Sequence, residues 1–301
     1  MPKRFGVYLG TLAAMFFWGI SFVWTKIVFQ YYGPFTTLFL RMLISSALLT
    51  LYAKATGKRE KIQRRDWPMF FLLAFLEPFC YFIGESFGLL LVTPTLASIM
   101  IALIPVVSPV FAWLFYREKL TAINITGLAV SFAGVALFTT TGSSGLDASP
   151  KGILLLLFAV LSGIGYSLVV KNLSHRYHPL TIVRTQNMLG GLYFLPFMAA
   201  FEWKNALTVD PPAGVIMNLV MLAVFGSSLA FILITVSIRE LGIGKTNAFT
   251  NIIPVITAIT AWFLLGEAFS ERKILGMAVV IAGILLSQYR KSSRSPVIHE
   301  R

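Results

Sequence analysis

The sequence predicts an all-α polytopic membrane protein with ten transmembrane helices in a 5+5 inverted repeat. Three observations predict it: an apolar composition, apolar runs of membrane-spanning length, and a gapless internal repeat. Of the 301 residues, 57% are hydrophobic and 12% charged, about half the charged share of an ordinary soluble chain, and the mean hydropathy is +0.79. The polar surface that a soluble fold of this size needs is missing. The single cysteine, Cys80, lies in an apolar run, so no intrachain disulfide can form.

A hydrocarbon core about 30 Å thick takes roughly 20 helical residues. Runs of that kind occupy 7–28, 35–53, 68–91, 95–116, 122–141, 151–170, 180–201, 213–237, 243–265 and 272–289. Turn signals separate many of them, among them YYGP, LVTPT, TGSSGLDASP, DPPAG and LGIG. The first run has the look of a signal peptide, but equally long runs follow it, so it reads as a retained first span. No connection is long enough for a soluble domain.

Lysine and arginine set the expected orientation, because cytoplasmic loops accumulate them. With the N-terminus inside, 18 fall on the cytoplasmic side, including Lys54, Lys58, Arg59, Lys61, Arg64 and Arg65 in one stretch and four more in the tail. Five fall outside: Lys26, Lys151, Lys204, Arg272 and Lys273. Both termini are therefore expected in the cytoplasm. The six-charge stretch reads as a topology anchor against anionic lipid headgroups, with no glycine-rich or aromatic partners for a nucleic-acid role.

The repeat sets IPVVSPVFAWLFYREKLTAINITGLAVSFAGVALF, from Ile104, against IPVITAITAWFLLGEAFSERKILGMAVVIAGILLS, from Ile253, at a constant offset of 149. Pro105 matches Pro254, Trp113 matches Trp262, Glu118 matches Glu267, and Gly127 and Gly134 match Gly276 and Gly283. With five spans per copy, the second copy enters the membrane from the opposite face. Inverted repeats of this kind hold a site near the bilayer midplane between the halves and exchange its access by rocking, which points to transport. The doubled IPV…AW…E pattern, the ten spans and the duplication resemble the drug/metabolite transporter superfamily, specifically its EamA-type members, over about 6–289. That resemblance implies a first repeat at 6–141, a second at 151–289 and a cytoplasmic tail at 290–301. It also implies export of amino acids or other small metabolites, with Glu118 and Glu267 as loop anchors.

Charged and polar residues inside apolar runs are the candidate site, since an acid at a helix centre costs about 2.5–3.5 kcal/mol on insertion scales. Glu77 lies about ten residues, roughly 15 Å, into its span, near midplane. One reading makes it a neutral acid bonded to a backbone carbonyl; the other makes it a cargo or proton ligand. Glu85 falls nearer the outer boundary, in one layer with Arg41 and Lys26, where an ion pair or an outer gate is expected. Pro78 interrupts the helix beside Glu77, and the offset carries the pair onto Gly226 and Ser227, so Ser227 joins the candidates. Trp18 and Tyr166 occupy related midplane positions and either stack on cargo or pack. Tyr81 follows Glu77 by one turn, and Asn247 and Asn251 share a stripe as interhelical glue or cargo ligands. Pro105 and Pro254 are expected to kink their helices.

His175 and His178 lie in a basic loop without acidic or thiol partners, so no metal site is expected. The sequence holds no phosphate-binding loop, HExxH or nucleophile triad, and no cofactor, enzymatic activity or nucleic-acid partner is implied. The reading is an inner-membrane secondary exporter of small organic solutes, coupled to protons or to the cargo gradient. A gradient-independent facilitator is the nearest alternative; a nontransporting sensor or an intramembrane enzyme is a different class. Cargo, direction, coupling ion and oligomeric state do not follow from these residues.

Overall fold

A computed structural model describes residues 2–58, 60–116, 121–141, 145–146 and 149–288. The chain is a bundle of helices. The first half runs through α1 (Pro2–Val28), α2 (Pro34–Ala55), α3 (Trp67–Ala74), α4 (Tyr81–Leu91), α5 (Pro94–Ile101), α6 (Ile104–Tyr116) and α7 (Ala122–Thr139). Two residue pairs, Thr140–Thr141 and Gly145–Leu146, form a minimal antiparallel ladder before α8 (Pro150–Ser174). The second half continues with α9 (Pro179–Phe197), α10 (Trp203–Thr208), α11 (Ala213–Met221), α12 (Ala230–Leu241), α13 (Ile243–Ala248), α14 (Ile253–Leu265) and α15 (Glu271–Gln288).

Joined across their irregular turns, eight helical stretches among the described residues are long and apolar enough to cross a membrane: 5–28, 34–55, 64–91, 94–111, 122–139, 150–174, 213–241 and 243–265. The helices at the predicted spans 180–201 and 272–289, α9 and α15, are not in that set. Arg184, Gln186 and Asn187 dilute the first, and Glu271, Arg272 and Lys273 open the second.

Local chemistry sets the helix ends. Pro34, Pro94, Pro150 and Pro179 stand in the first turn of their helices, where a missing N–H leaves no bond unmade. Thr93 caps α5 by accepting from Leu96 N at 3.3 Å. The start of α2 is capped from the other half of the chain: Phe35 N and Thr36 N donate to the Glu202 carboxylate at 3.2 and 2.7 Å. Gly242 and Gly266 follow α12 and α14 at φ of +83° and +66°, a region open to glycine.

Two of these stretches, 64–91 and 213–241, are broken near their middles. Residues Phe75–Cys80 form a π-helical turn, within which Glu77 is extended at φ −151° and ψ 120°. Leu222–Leu229 form another between α11 and α12. The offset of 149 carries 75–80 onto 224–229, so the two breaks correspond. Pro105 and Pro254 stand at the first turns of α6 and α14, after the turn at 102–103 and the 3₁₀ stretch Phe249–Ile252. There each proline restarts a helix rather than bending one.

α7 packs closely on α15. A Cβ on Gly127 would lie 2.6 Å from Ser287, one on Gly134 2.6 Å from Val280 N, one on Gly276 2.6 Å from Phe138 N, and one on Gly283 2.5 Å from Ser131 N. Ordinary contact starts near 3.4 Å, so only glycine allows this approach. Partner numbers fall as glycine numbers rise, which makes the helices antiparallel. Exchanging the halves, by adding 149 to the α7 residue and subtracting it from the α15 residue, turns the Gly127–Ser287 contact into Gly276–Phe138, and Gly134–Val280 into Gly283–Ser131. Other contacts obey the same exchange: α2 packs on α9, α4 on α8 and α1 on α12. The buried core runs along these seams through Met15, Leu38, Met42, Phe70, Leu156, Phe194 and Phe231.

Glu118 and the tail 290–301 lie outside the described residues. Glu267 accepts from Thr95 Oγ1 at 2.9 Å, tying the loop after α14 to α5.

Candidate substrate cavity

The two broken spans flank a cavity of about 60 Å³, with Glu77 from the first break and side chains of α4 and α12 in its wall beside others from α1, α2, α8 and α13. One water needs about 10–15 Å³ on this measure, so the chamber holds several waters or the polar head of a small solute. Trp18, Arg41, Glu77, Tyr81, Glu85, Tyr166 and Asn247 all line it, with Phe82 and Phe231 among its apolar walls.

The aromatic wall is built by packing. Trp18 lies T-shaped on Phe231 at 5.3 Å between centroids, and its Nε1 donates to the Gly226 carbonyl in the second break at 3.2 Å. Tyr166 also meets Phe231 edge-on at 6.0 Å, and its hydroxyl donates to Gln186 Oε1 at 3.2 Å. Tyr81 follows the first break and is buried.

Three ionisable side chains share this wall. Arg41 is 3% exposed and Glu77 6%. The guanidinium carbon lies 4.3 Å from the Phe82 ring centroid, a cation–π contact, and Arg41 Nε donates to Ser227 Oγ. Ser227 is fully buried beneath Arg41 and belongs to a polar seam. Asn187 Nδ2 donates to the Ser227 carbonyl at 2.8 Å and to Ser45 Oγ at 2.6 Å, and Ser45 Oγ and Ser228 Oγ are 2.6 Å apart. The seam joins α2, α9 and the second break.

Several expectations change. Depth counting separates Glu77 from Glu85 and leaves Glu77 without a basic neighbour, whereas Arg41, Glu77 and Glu85 line one chamber. The count assumes a continuous helix, and the turn at Phe75–Cys80 is not one. The expected Glu85 ion pair is not formed either. Arg176 pairs with Asp66 and Arg239 with Glu240, and among the described residues no carboxylate lies within 4.0 Å of Arg41 or Lys26. Lys26 leaves the group altogether: its Nζ donates to the carbonyls of Leu89 at 2.7 Å and Val92 at 3.3 Å. It lines a separate cleft of about 340 Å³ with Gln30, Thr93 and Glu267. Asn251 is buried but does not line the cavity, and its Oδ1 accepts no hydrogen bond from the described residues. Pro78 packs against Gly190, where any side chain would strike its ring.

Sequence reading passed over Ser45, Gln186, Asn187 and Ser228. Their signal was present as TQN in 185–187 and as SS at 45–46 and 227–228, polar runs inside apolar spans. A second polar contact went unread. Asp66 is 3% exposed and accepts from Arg176 Nη1 at 2.7 Å and from Tyr177 Oη at 2.6 Å, while His178 N donates to Glu60 at 2.9 Å. These bonds join the loop before α3 to the loop before α9. Burial and the Asp66 acceptor push the Tyr177 phenol above its ordinary value, so it stays a donor at neutral pH.

A multi-pass apolar bundle with a charged chamber between two broken helices has the build of a membrane transporter. Comparison with known proteins gives the family: the chain belongs to the EamA-like transporter family, which matches residues 5–140 and again 150–289. It is 27% identical over 296 residues to the "Uncharacterized transporter YetK" of Bacillus subtilis, covering 97% of this chain and 89% of that protein. It is 26% identical over 277 residues to a "Probable terminal-alkyne amino-acid exporter" of Streptantibioticus cattleyicolor, covering 92% and 91%. A solved crystal structure superposes with a TM-score of 0.70 at 17% identity, covering 94% of this chain and 96% of that one, a likeness of fold.

Proposed function

We propose that this transporter is a secondary exporter of small organic solutes, amino acids or related metabolites, working by alternating access. The observation that carries the reading is the buried charged chamber between two helices that are broken at corresponding positions of the repeat. Discontinuous helices at a repeat interface are where such transporters hold cargo and coupling ions. The exchange of α7–α15 contacts under the offset of 149 supports an inverted pair, 6–141 and 151–289, of five spans each. The lysine and arginine bias supports a plasma (inner) membrane orientation with both termini, and the tail 290–301, in the cytoplasm. The name of the Streptantibioticus relative supports an amino-acid type of cargo.

In this reading Glu77 takes up and releases a proton or holds a cargo ammonium, and Trp18, Tyr81, Tyr166 and Asn247 contact the rest of the solute. Asn251 serves the helix packing behind them. Anionic headgroups hold the basic stretch 54–65. The test is efflux of pooled labelled amino acids and metabolites from liposomes, with and without a pH gradient, beside Glu77→Gln. Gradient-driven flux in the parent that disappears in the variant is the expected result. Gradient-independent flux that survives Glu77→Gln would make the protein a facilitator and Glu77 structural.

A further inference from the structure

We infer that Arg41 is the carboxylate-recognition residue of the cargo site, and that Ser227 is the residue that positions it. The inference rests on the amino-acid reading above and adds the group that selects the solute. Arg41 is 3% exposed, yet only its Nε has a protein acceptor among the described residues, the hydroxyl of Ser227. Its two terminal nitrogens donate to no protein oxygen there, and no carboxylate stands within 4.0 Å. A guanidinium that stays buried with four N–H bonds open has a cavity, not a partner, in front of it.

The rest of the setting suits a fork. The Phe82 ring lies 4.3 Å from the guanidinium carbon and offers its N–H groups no oxygen acceptor, which leaves the terminal N–H groups for an incoming group. Gly226 keeps the edge clear, since even a Cβ there would sit 3.1 Å from Nη2. Behind it, Asn187 bonds the Ser227 carbonyl and Ser45, so the hydroxyl that seats Nε is itself held. Paired N–H donors of fixed geometry match the two oxygens of a carboxylate. Glu77 and Glu85 line the same chamber, so a bare anion meets two carboxyl groups, whereas a zwitterion places its ammonium toward them. The ligand class is therefore an α-amino-acid-type zwitterion, bound by its carboxylate on Arg41.

The experiment is liposome flux of the twenty common amino acids, each beside its carboxamide and its decarboxylated amine. Parent protein is compared with Arg41→Gln, Arg41→Lys and Ser227→Ala, all checked for monodispersity in detergent. The parent is expected to move one or more acids at least about 100-fold faster than the matching amide or amine. Arg41→Gln should abolish that preference, and Arg41→Lys, which keeps the charge without the fork, should keep less than about a tenth of it. Ser227→Ala should raise KM about tenfold with turnover little changed, the mark of a positioning residue. Equal flux of acids and amides, or acid selectivity retained in Arg41→Gln, would overturn the assignment while leaving amine-bearing cargo and transport intact. No flux of any acid, amide or amine by the folded parent would overturn both this assignment and the amino-acid reading.

Discussion

The two broken spans, Phe75–Cys80 and Leu222–Leu229, occupy corresponding positions of the repeat but carry opposite chemistry. The first holds Glu77 and Pro78; the second holds Gly226 and Ser227, with no charge at all. One break brings an acid to the chamber. The other brings a hydroxyl that seats Arg41 and a missing side chain that leaves it room. Elsewhere the halves stay alike: the glycines of α7 and α15 make the same contacts in both directions. Backbone shape is thus kept where the halves pack together, and side-chain chemistry diverges where the cavity lies. A duplicated scaffold needs its symmetry for packing, while a polar solute needs unlike groups around it.

The most severe way to break this comparison is to exchange the two breaks' chemistry. Glu77→Gly with Gly226→Glu keeps net charge but sets a carboxylate against Nη2 of Arg41, where even a Cβ would come within 3.1 Å. Flux should fall about 100-fold or more, equivalent to roughly 2.7 kcal/mol of barrier, in liposome assays. Preserved flux would mean that only total charge matters.

The matched region should respond symmetrically. Gly134→Val and Gly283→Val each force a branched side chain into a 2.5–2.6 Å gap against backbone. Each should cost about 3 kcal/mol, at the upper end of overpacking penalties, read from unfolding in mild detergent. Unequal losses would separate the α7–α15 seam from the exchange relation.

Smaller effects sharpen the picture at its edges. Asp66→Ala removes the acceptor of both Arg176 and Tyr177 and should destabilise the protein by about 1–3 kcal/mol; Tyr177→Phe, which removes the donor to Asp66 and the acceptor of Gln63 N, should cost a similar amount. Ser228→Ala takes one hydroxyl from the Ser45–Asn187 seam and should cost about 1 kcal/mol. Because the Ser228 hydroxyl bonds Ser45 and the Ala223 carbonyl rather than Arg41, acid-over-amide selectivity should persist in that variant. Lost selectivity would mean that the whole seam, rather than Ser227, sets the guanidinium.

How legible the site was can be judged residue by residue. Glu77, Asn247 and Trp18 stand out in an apolar run because each is costly or conspicuous in lipid, and burial is a property a single residue carries. The place of Glu77 relative to Arg41 was misjudged for a definite reason. Counting 1.5 Å per residue holds along an unbroken helix, and the π-helical turn beside Glu77 changes both rise and direction. Lys26 was placed with Glu85 because both ends of their spans face the same side. In the fold its ammonium instead satisfies the carbonyls of Leu89 and Val92 at the end of α4.

By itself the sequence determined that the chain is helical, apolar enough for a membrane, internally repeated at an offset of 149, and marked by a few polar groups inside apolar runs. These follow from hydrophobic transfer and from hydrogen bonds made within a helix, both of which are local. Only the tertiary structure decided which polar groups meet: Arg41 with Ser227 across 186 positions, Asp66 with Tyr177 across 111, and Lys26 apart from both glutamates of the chamber. Such meetings depend on where helices cross and break, and small changes in either move a side chain by more than the reach of a hydrogen bond.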